Sequence, residues 1–469
     1  MIERSDEQIW AHQEFGRAAL GDRRRVKRLV GIAAGIATNP GGKVTKVFTD
    51  AAEREGAFRF VQNDEVDEMA IMHSAHVATA RRCADQGFVY VPIDQSSVTL
   101  TDRSDAKGLG SVGTSRDKAK GLQVMSGIAV APEGTPLGLM GQSYWARPPG
   151  KKKSAQSRRN RPPEDKETAH WLAVMGQARA AIGEAAPGTR IWFQLDRGGD
   201  AWPLLLGAGF WSLLTVRASW DRRLSTGGEE KQFLWETVER QEPLGDYLLP
   251  VIAGKNRKAR MATMQLRSCR VTLDLHDHLN QKHHRLTVWA VQAREMSTPP
   301  RGEKRIEWML LTTYPVHSVV DAQVVLFGYS QRWRIEEFHR TWKSGACCVE
   351  ETQLRDYDHL VRWIPILASV AMRILRMTYL ARRRPELPAT CEFTQPEIDA
   401  AIVATRQKKW KRGDVPSIAQ VVQWIAQEGG YIGKSSGGPP GPIVIARGLR
   451  ALRVLARVFD DEQRRETEK

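Results

Sequence analysis

Four residues in the stretch Tyr329-Ser-Gln-Arg-Trp-Arg-Ile-Glu-Glu-Phe-His-Arg-Thr-Trp-Lys343 could act together. Tyr329, Arg332, Glu336 and Lys343 follow one another at intervals of three, four and seven residues. At about 100° per residue they fall within an arc of about 60°, so a single helix would present them as one polar stripe. Ile335, Phe338 and Trp342 supply an apolar face beside it. A carboxylate flanked by two cations and a phenol suits phosphodiester chemistry. The glutamate can hold a metal ion, and the arginine and lysine can grip phosphates on either side of a reacting one. The same spacing also describes a solvated helix with ordinary i,i+4 ion pairs, and the rest of the chain decides between the two.

Two buried-strand patterns upstream each end in an aspartate, Phe88-Val-Tyr-Val-Pro-Ile-Asp94 and Arg190-Ile-Trp-Phe-Gln-Leu-Asp196. A helix is expected at 66–86, further strands at 98–101, 123–131 and 136–145, a helix at 167–185, a short helix near 202–206 and a strand at 211–217. Three strands, helix, strand, helix, strand is the order of a ribonuclease-H-like α/β sheet. There the first and fourth strands lie parallel and adjacent, which would make Asp94 and Asp196 neighbours. One aspartate at a strand end is ordinarily a turn residue; two at these positions, with Glu336 on a helix, are harder to explain that way. Asp200, four residues on, competes with Asp196. Pro92 removes a ladder donor from a central strand, which a bulge would accommodate.

The string Y-S-Q-R-W-R-I-E-E-F-H-R-T-W-K-S-G closely resembles the signature of the bacterial cut-and-paste DDE transposases of the IS-four family. The resemblance implies that Tyr329, Arg332, Glu336 and Lys343 form the family's Y-R-E-K motif, with Glu336 the third member of an Asp-Asp-Glu metal triad. Asp94, in I-D-Q-S-S-V, and Asp196, in F-Q-L-D-R-G-G-D, match the first two positions, and Asp196 is preferred to Asp200 because it heads the family's D-R-x-x-D string. Such a triad implies two Mg²⁺ ions per site, with Mn²⁺ able to substitute. The implied reaction is a nick at the element end, hairpin formation, hairpin opening and strand transfer into target DNA, carried out by a homodimer in a synaptic complex. Trp308, in I-E-W-M-L-L-T-T, matches the family's tryptophan that stacks on a flipped base, although its alternating strand is also that of a core residue; Trp333 shares this ambiguity. Arg217 matches a DNA-contacting position more loosely.

Composition agrees with a polyanionic partner. The chain has 469 residues and a formal net charge of +16, with a pI near 9.8, and Lys and Arg that neutralise phosphates release counterions. The N-terminus has no apolar signal core. Region 360–380 is hydrophobic but interrupted by Arg362, Arg373 and Arg376, which reads as a buried helix rather than a membrane span. Five cysteines fit neither a disulfide framework nor a zinc site. The expected location is the bacterial cytoplasm, at the nucleoid when bound to DNA.

The expected organisation is a helical DNA-recognition domain at 1–70, a ribonuclease-H-like core at 71–375 with a β-rich insertion at about 221–320, and a helical dimerisation domain at 376–469. In the first, Asp22 is expected to cap a helix that opens with Arg23, Arg24, Arg25, Lys27 and Arg28. Cations are unfavourable at a helix N-terminus, so this turn hints at nearby phosphates. The resemblance makes Arg24, Lys27, Lys43, Lys46 and Arg59 candidate DNA contacts. The basic, proline-flanked loop at 148–163 is left open between a DNA-gripping and a disordered segment. Two rival readings remain at this level: a ribonuclease-H-like nuclease without strand transfer, and a decayed copy that binds ends and represses.

Overall fold

The structure is a computed structural model that describes residues 7–467 apart from 103–104, 114–118, 149–160, 208–211, 226–230, 252–258 and 434–437. Most of the basic loop at 148–163 therefore lies outside the described residues. The strands are β1 (Phe88–Thr99), β2 (Gly110–Ser111), β3 (Lys120–Val130), β4 (Pro136–Trp145), β5 (Arg190–Leu195), β6 (Ser212–Arg217), β7 (Gly245–Val251), β8 (Arg260–Asp277), β9 (Lys282–Glu295) and β10 (Glu307–Thr312). All ten belong to one sheet, ordered β2-β3-β1-β5-β6-β10-β9-β8-β7, with β4 paired to β3. Within it β4-β3-β1-β5-β6 is the ribonuclease-H-like order, with β1 and β5 parallel neighbours. The inserted strands are not a separate layer: β10 pairs antiparallel with β6 and carries the sheet onward through β9, β8 and β7.

Strand β1 differs from expectation in two respects. It runs unbroken through Asp94 to Thr99, where two strands were expected. Its parallel partner β5 follows it only to the Ile93↔Leu195 pair, whereas antiparallel β3 stays with it to Thr99↔Gly121. Asp94 thus marks the point where one neighbour departs, rather than the end of its own strand. The second difference is at Pro92. Pairing of β1 with β3 lapses at Val91 and Pro92 and resumes at Ile93 in the same register, so β1 has no bulge. The register shifts lie one strand further out, between β3 and β4 at Gly127/Ile128 and Ala129/Val130.

Alternation sends the central strands' side chains into two cores. Val89, Val91, Ile93, Phe193 and Leu195 pack towards helix Thr168–Ala185, while Tyr90, Trp192 and Leu213 join the larger core built on helix Tyr357–Arg383. Fully burying a side chain such as Phe193 is worth about 1.5–3 kcal/mol. Helix Tyr357–Arg383 is long and apolar enough to cross a membrane by composition, yet 89% of its most apolar window is buried inside the fold. Its arginines explain themselves: Arg362 donates to the carbonyls of Val61 (3.0 Å) and Val66 (2.9 Å), and Arg373 to Glu392 O (2.7 Å) and the Glu397 carboxylate (3.2 Å). The helix therefore clasps the N-terminal helices on one side and the C-terminal ones on the other, and it runs across the expected boundary at 375.

The N-terminal helices follow the expected capping. Asp22 accepts from the Arg24 N–H at 2.7 Å and starts helix Arg23–Thr38, whose apolar Leu29, Ile32, Ala33 and Ile36 are buried. At the other end of the chain, helices Ile418–Glu428 and Pro442–Thr467 cross at Gly448, where a Cβ would lie 1.7 Å from the Ile425 carbonyl oxygen. Because that neighbour is backbone, Gly448→Ala has to push the helices apart. We expect it to destabilise the fold by about 1–3 kcal/mol, seen as a lower urea midpoint at unchanged m-value; an unchanged midpoint would contradict the close crossing.

Candidate active site

The Y-R-E-K residues come together, but not as one helical stripe. Helix Val319–Ser330 ends just after Tyr329, Arg332 sits at the junction, a second helix runs Trp333–Arg340 and carries Glu336, and a π-helical turn at Thr341–Gly345 carries Lys343. The first of these helices lies tightly on β1, because Gly328 has no side chain; a Cβ there would lie 2.6 Å from Tyr90 Cε1. That contact sets Tyr329 and Arg332 over the strand that leads to Asp94.

Arg332 is the centre of the cluster. Its guanidinium Nη1 lies 3.3 Å from Asp94 Oδ2 and its Nη2 lies 2.6 Å from Glu336 Oε1, so it bridges the two carboxylates. Burial opposes its charge, but Tyr329, Asp94 and Glu336 outweigh that and hold it firmly protonated. Asp196 is one residue beyond the last β1–β5 pair, in register with Asp94. Its Oδ1 accepts from the Gly198 N–H at 2.8 Å, which caps the turn Arg197–Gly199. The Asp94 carboxyl is pushed up to about 7, first by burial, with the negative charges of Asp196 and Glu336 adding to the rise and Arg332 opposing it. Tyr329 is buried, and burial also raises its phenol; Asp196 adds to that rise while Arg332 and Arg217 oppose it.

Two competing carboxylates are committed elsewhere. Asp200 accepts from the backbone N–H of Ser219 (2.7 Å) and Trp220 (3.3 Å) and pairs with Arg222 at 2.6 Å. Glu337, beside Glu336, accepts from the Tyr379 hydroxyl at 2.6 Å and pairs with Arg334 at 3.3 Å. Lys343 does not join the bridge: it pairs with Glu350 at 3.5 Å, and the Glu350 carboxylate also accepts the Thr99 N–H at 3.0 Å, at the far end of β1.

Among the described residues no three acidic, histidine or cysteine side chains already converge as a ligand set. The donors nevertheless suit a divalent cation. They are all carboxylates, one of them has its charge disfavoured by burial and by its acidic neighbours, and the guanidinium of Arg332 now supplies positive charge between two of them.

The remaining candidates surround this centre. Trp308, half-buried on β10, packs edge-on against Tyr329 with ring centroids 5.3 Å apart. Arg217 ends β6 and donates to Glu307 O at 2.9 Å; burial lowers its pKa, with Tyr329 pulling the other way. Trp333 is 44% exposed, with the Arg332 guanidinium 5.4 Å from its ring centroid. Arg24 and Lys27 are exposed and line a groove of about 850 Å³ between helices Arg23–Thr38 and Pro442–Thr467. Lys43 immediately precedes the short helix Val44–Val47, Lys46 pairs with Glu351 at 3.2 Å, and Arg59 pairs with Glu55 at 2.8 Å. Sequence reasoning passed over the Asp200–Arg222 latch and the Glu350 partner of Lys343. Both are contacts between separate segments, which no local pattern marks.

A sheet ordered β4-β3-β1-β5-β6, with Asp94 on one of its two adjacent parallel strands, Asp196 just past the end of the other, and Arg332 joining Asp94 to the helical Glu336, is a ribonuclease-H-like core consistent with the DDE kind. Three family models match the chain in succession: transposase DNA-binding over residues 7–66, transposase DDE domain over 207–373, and transposase Tn5 dimerisation domain over 369–463. The chain belongs to the DDE transposases, with a Tn5-like architecture, and is a DNA transposase. Its domains make it a nuclease-type enzyme that depends on divalent metal, binds DNA and forms homodimers. The DDE match includes Arg217, Trp308, Glu336 and Lys343 but begins after both aspartates, whose places rest on the sheet.

Proposed function

We propose that this enzyme moves an insertion sequence by a cut-and-paste route, with nicking, hairpin formation and strand transfer at one active site per protomer of a synaptic homodimer. The observation that supports this most strongly is the bridging of Asp94 and Glu336 by Arg332 beside Asp196. In this reading Asp94, Asp196 and Glu336 hold two divalent cations, Mg²⁺ by preference for all-oxygen donors and Mn²⁺ as a substitute. When bound, these ions supply Lewis-acid activation of the attacking hydroxyl and charge stabilisation at the leaving oxygen.

The chain's own side chains supply the rest. Arg332 exchanges its carboxylate partners for a DNA phosphate, a bidentate acceptor of similar geometry. Tyr329, held between Trp308 and the arginines, keeps Arg332 and Arg217 aimed at the backbone. Lys343 grips a phosphate further along, in place of Glu350. Trp308 stacks on a base turned out of the duplex. Residues 1–70, with Arg24, Lys27, Lys43, Lys46 and Arg59, recognise the element end, and the C-terminal helices join the two protomers.

The discriminating experiment incubates the protein with Mg²⁺, a labelled pre-cut element end and supercoiled plasmid. The expected product is the end joined covalently to plasmid DNA. Cut or nicked DNA without joining would overturn the transposition reading in favour of a nuclease.

A further inference from the structure

The loop after β6 carries an exposed aromatic on an unusually well-anchored backbone. Trp220 is 64% exposed. The residues around it are fixed by Asp200, whose carboxylate accepts the N–H groups of Ser219 (2.7 Å) and Trp220 (3.3 Å) and pairs with the Arg222 side chain at 2.6 Å. Arg222 also donates to the Asp200 carbonyl at 2.8 Å, and the Ser219 hydroxyl donates to the Arg197 carbonyl at 2.8 Å. The loop is thereby fastened to the turn that begins at Asp196. Asp221, the acidic residue in the run, is turned to the Trp235 N–H at 2.9 Å.

Single exposed apolar residues are common and need no explanation. Trp220 differs in three ways: its backbone is held rigidly by a buried carboxylate, it lies beside the Asp196 turn, and its neighbours are cationic. Arg197 and Arg223 are exposed, and Arg217 is half-buried one strand-end away. Arg223 forms a backbone bridge with Phe233, itself 39% exposed, so a second open aromatic is paired with one of these arginines. Arginine interleaved with an open aromatic face is the chemistry of single-strand binding, where bases stack on rings and cations follow the backbone. A paired duplex hides its base faces, so an open indole gains little from it.

We propose that Trp220 is a stacking platform for an unpaired DNA strand at the margin of the active site, aimed there by the Asp200 latch. The proposal rests on the reading of Asp196 as an active-site residue, because that reading places the loop beside the reacting end. It also gives Asp200 a task distinct from metal binding: Asp200 is a positioning residue.

The test is equilibrium binding without divalent metal, so that no cleavage intervenes. Anisotropy is measured with a fluorescein-labelled oligothymidylate of about 15 nucleotides and with a mixed-sequence duplex of about the same length, over a range of salt. Trp220→Ala is expected to weaken oligothymidylate binding about tenfold and duplex binding less than about twofold, with an unchanged salt slope, because stacking releases no counterions. Trp220→Phe, which keeps a ring, is expected to recover most of the loss. Unchanged oligothymidylate affinity in Trp220→Ala, an equal loss on both probes, or failure of Trp220→Phe to recover would each overturn the proposal. Its failure is separable from failure of the active-site reading. The binding assay contains no metal and reads no cleavage, whereas the triad is tested only by metal-dependent cleavage in Asp94→Ala and Glu336→Ala.

Discussion

Asp196→Ala is expected to reduce metal-dependent nicking at the element end by roughly 10³-fold or more, with end binding kept within a few-fold. Asp94→Ala and Glu336→Ala should behave alike, because in the proposed triad the three carboxylates act as one unit and the loss of any one would empty the shared site. End binding should survive because the transposase DNA-binding match lies in the N-terminal helices, residues 7–66, and not at the carboxylates. Asp200→Ala is the informative contrast. Its carboxylate is buried and satisfied by Arg222 and two backbone N–H groups, so its removal leaves the half-buried Arg222 without its ion-pair partner and both N–H groups without their acceptor. That variant should lose stability while the folded fraction still nicks. Near-normal nicking by Asp196→Ala together with complete loss in a folded Asp200→Ala would reverse the assignment.

Trp308→Ala is expected to separate two steps of the proposed cut-and-paste route. Nicking asks only for an undistorted phosphodiester at the carboxylates. Hairpin formation forces the two strands into a sharp turn, which a stacked duplex resists and which extraction of one base relieves. Stacking on an aromatic is worth about 1–3 kcal/mol per base, so the variant should slow hairpin formation by roughly tenfold to a hundredfold while nicking stays within a few-fold. The structure adds a complication, because Trp308 also supports Tyr329 edge-on at 5.3 Å. Trp308→Phe addresses it, since a phenyl ring can keep that support and part of the stacking. Equal loss of nicking and hairpin formation in both variants, measured on labelled pre-nicked and intact ends, would make Trp308 a packing residue only.

The sheet was legible because its strands are buried on both faces and read as continuous apolar runs, of which Phe88–Ile93 and Ile191–Leu195 are the clearest. Asp94 and Asp196 could be placed beside each other from element order alone. What could not be read lies in contacts between distant segments. The D-R-x-x-D string favours Asp196 over Asp200, but the contacts that occupy Asp200, to Arg222 and the Ser219 and Trp220 backbone, are announced by no local pattern. The break in the helix between Ser330 and Trp333 was hidden because the four polar residues keep helical spacing across it; Gly328 and the packing of Tyr329 on the sheet set the junction. The merging of the inserted strands into the catalytic sheet depends on the β6–β10 pairing, which joins segments about ninety residues apart.

The proposed triad requires Asp94, Asp196 and Glu336 to share one divalent-metal site. Iron-directed backbone cleavage tests it most directly: Fe²⁺ replaces Mg²⁺ in the complex with a pre-cut element end, and ascorbate with peroxide generates radicals that cut the chain next to the bound ion. Three sets of fragments are expected, with breaks near residues 94, 196 and 336, all suppressed by excess Mg²⁺ and lost together in Asp94→Ala. Cuts confined to the Asp200–Arg222 loop, or breaks at one of the three carboxylates that persist when another is removed, would contradict it.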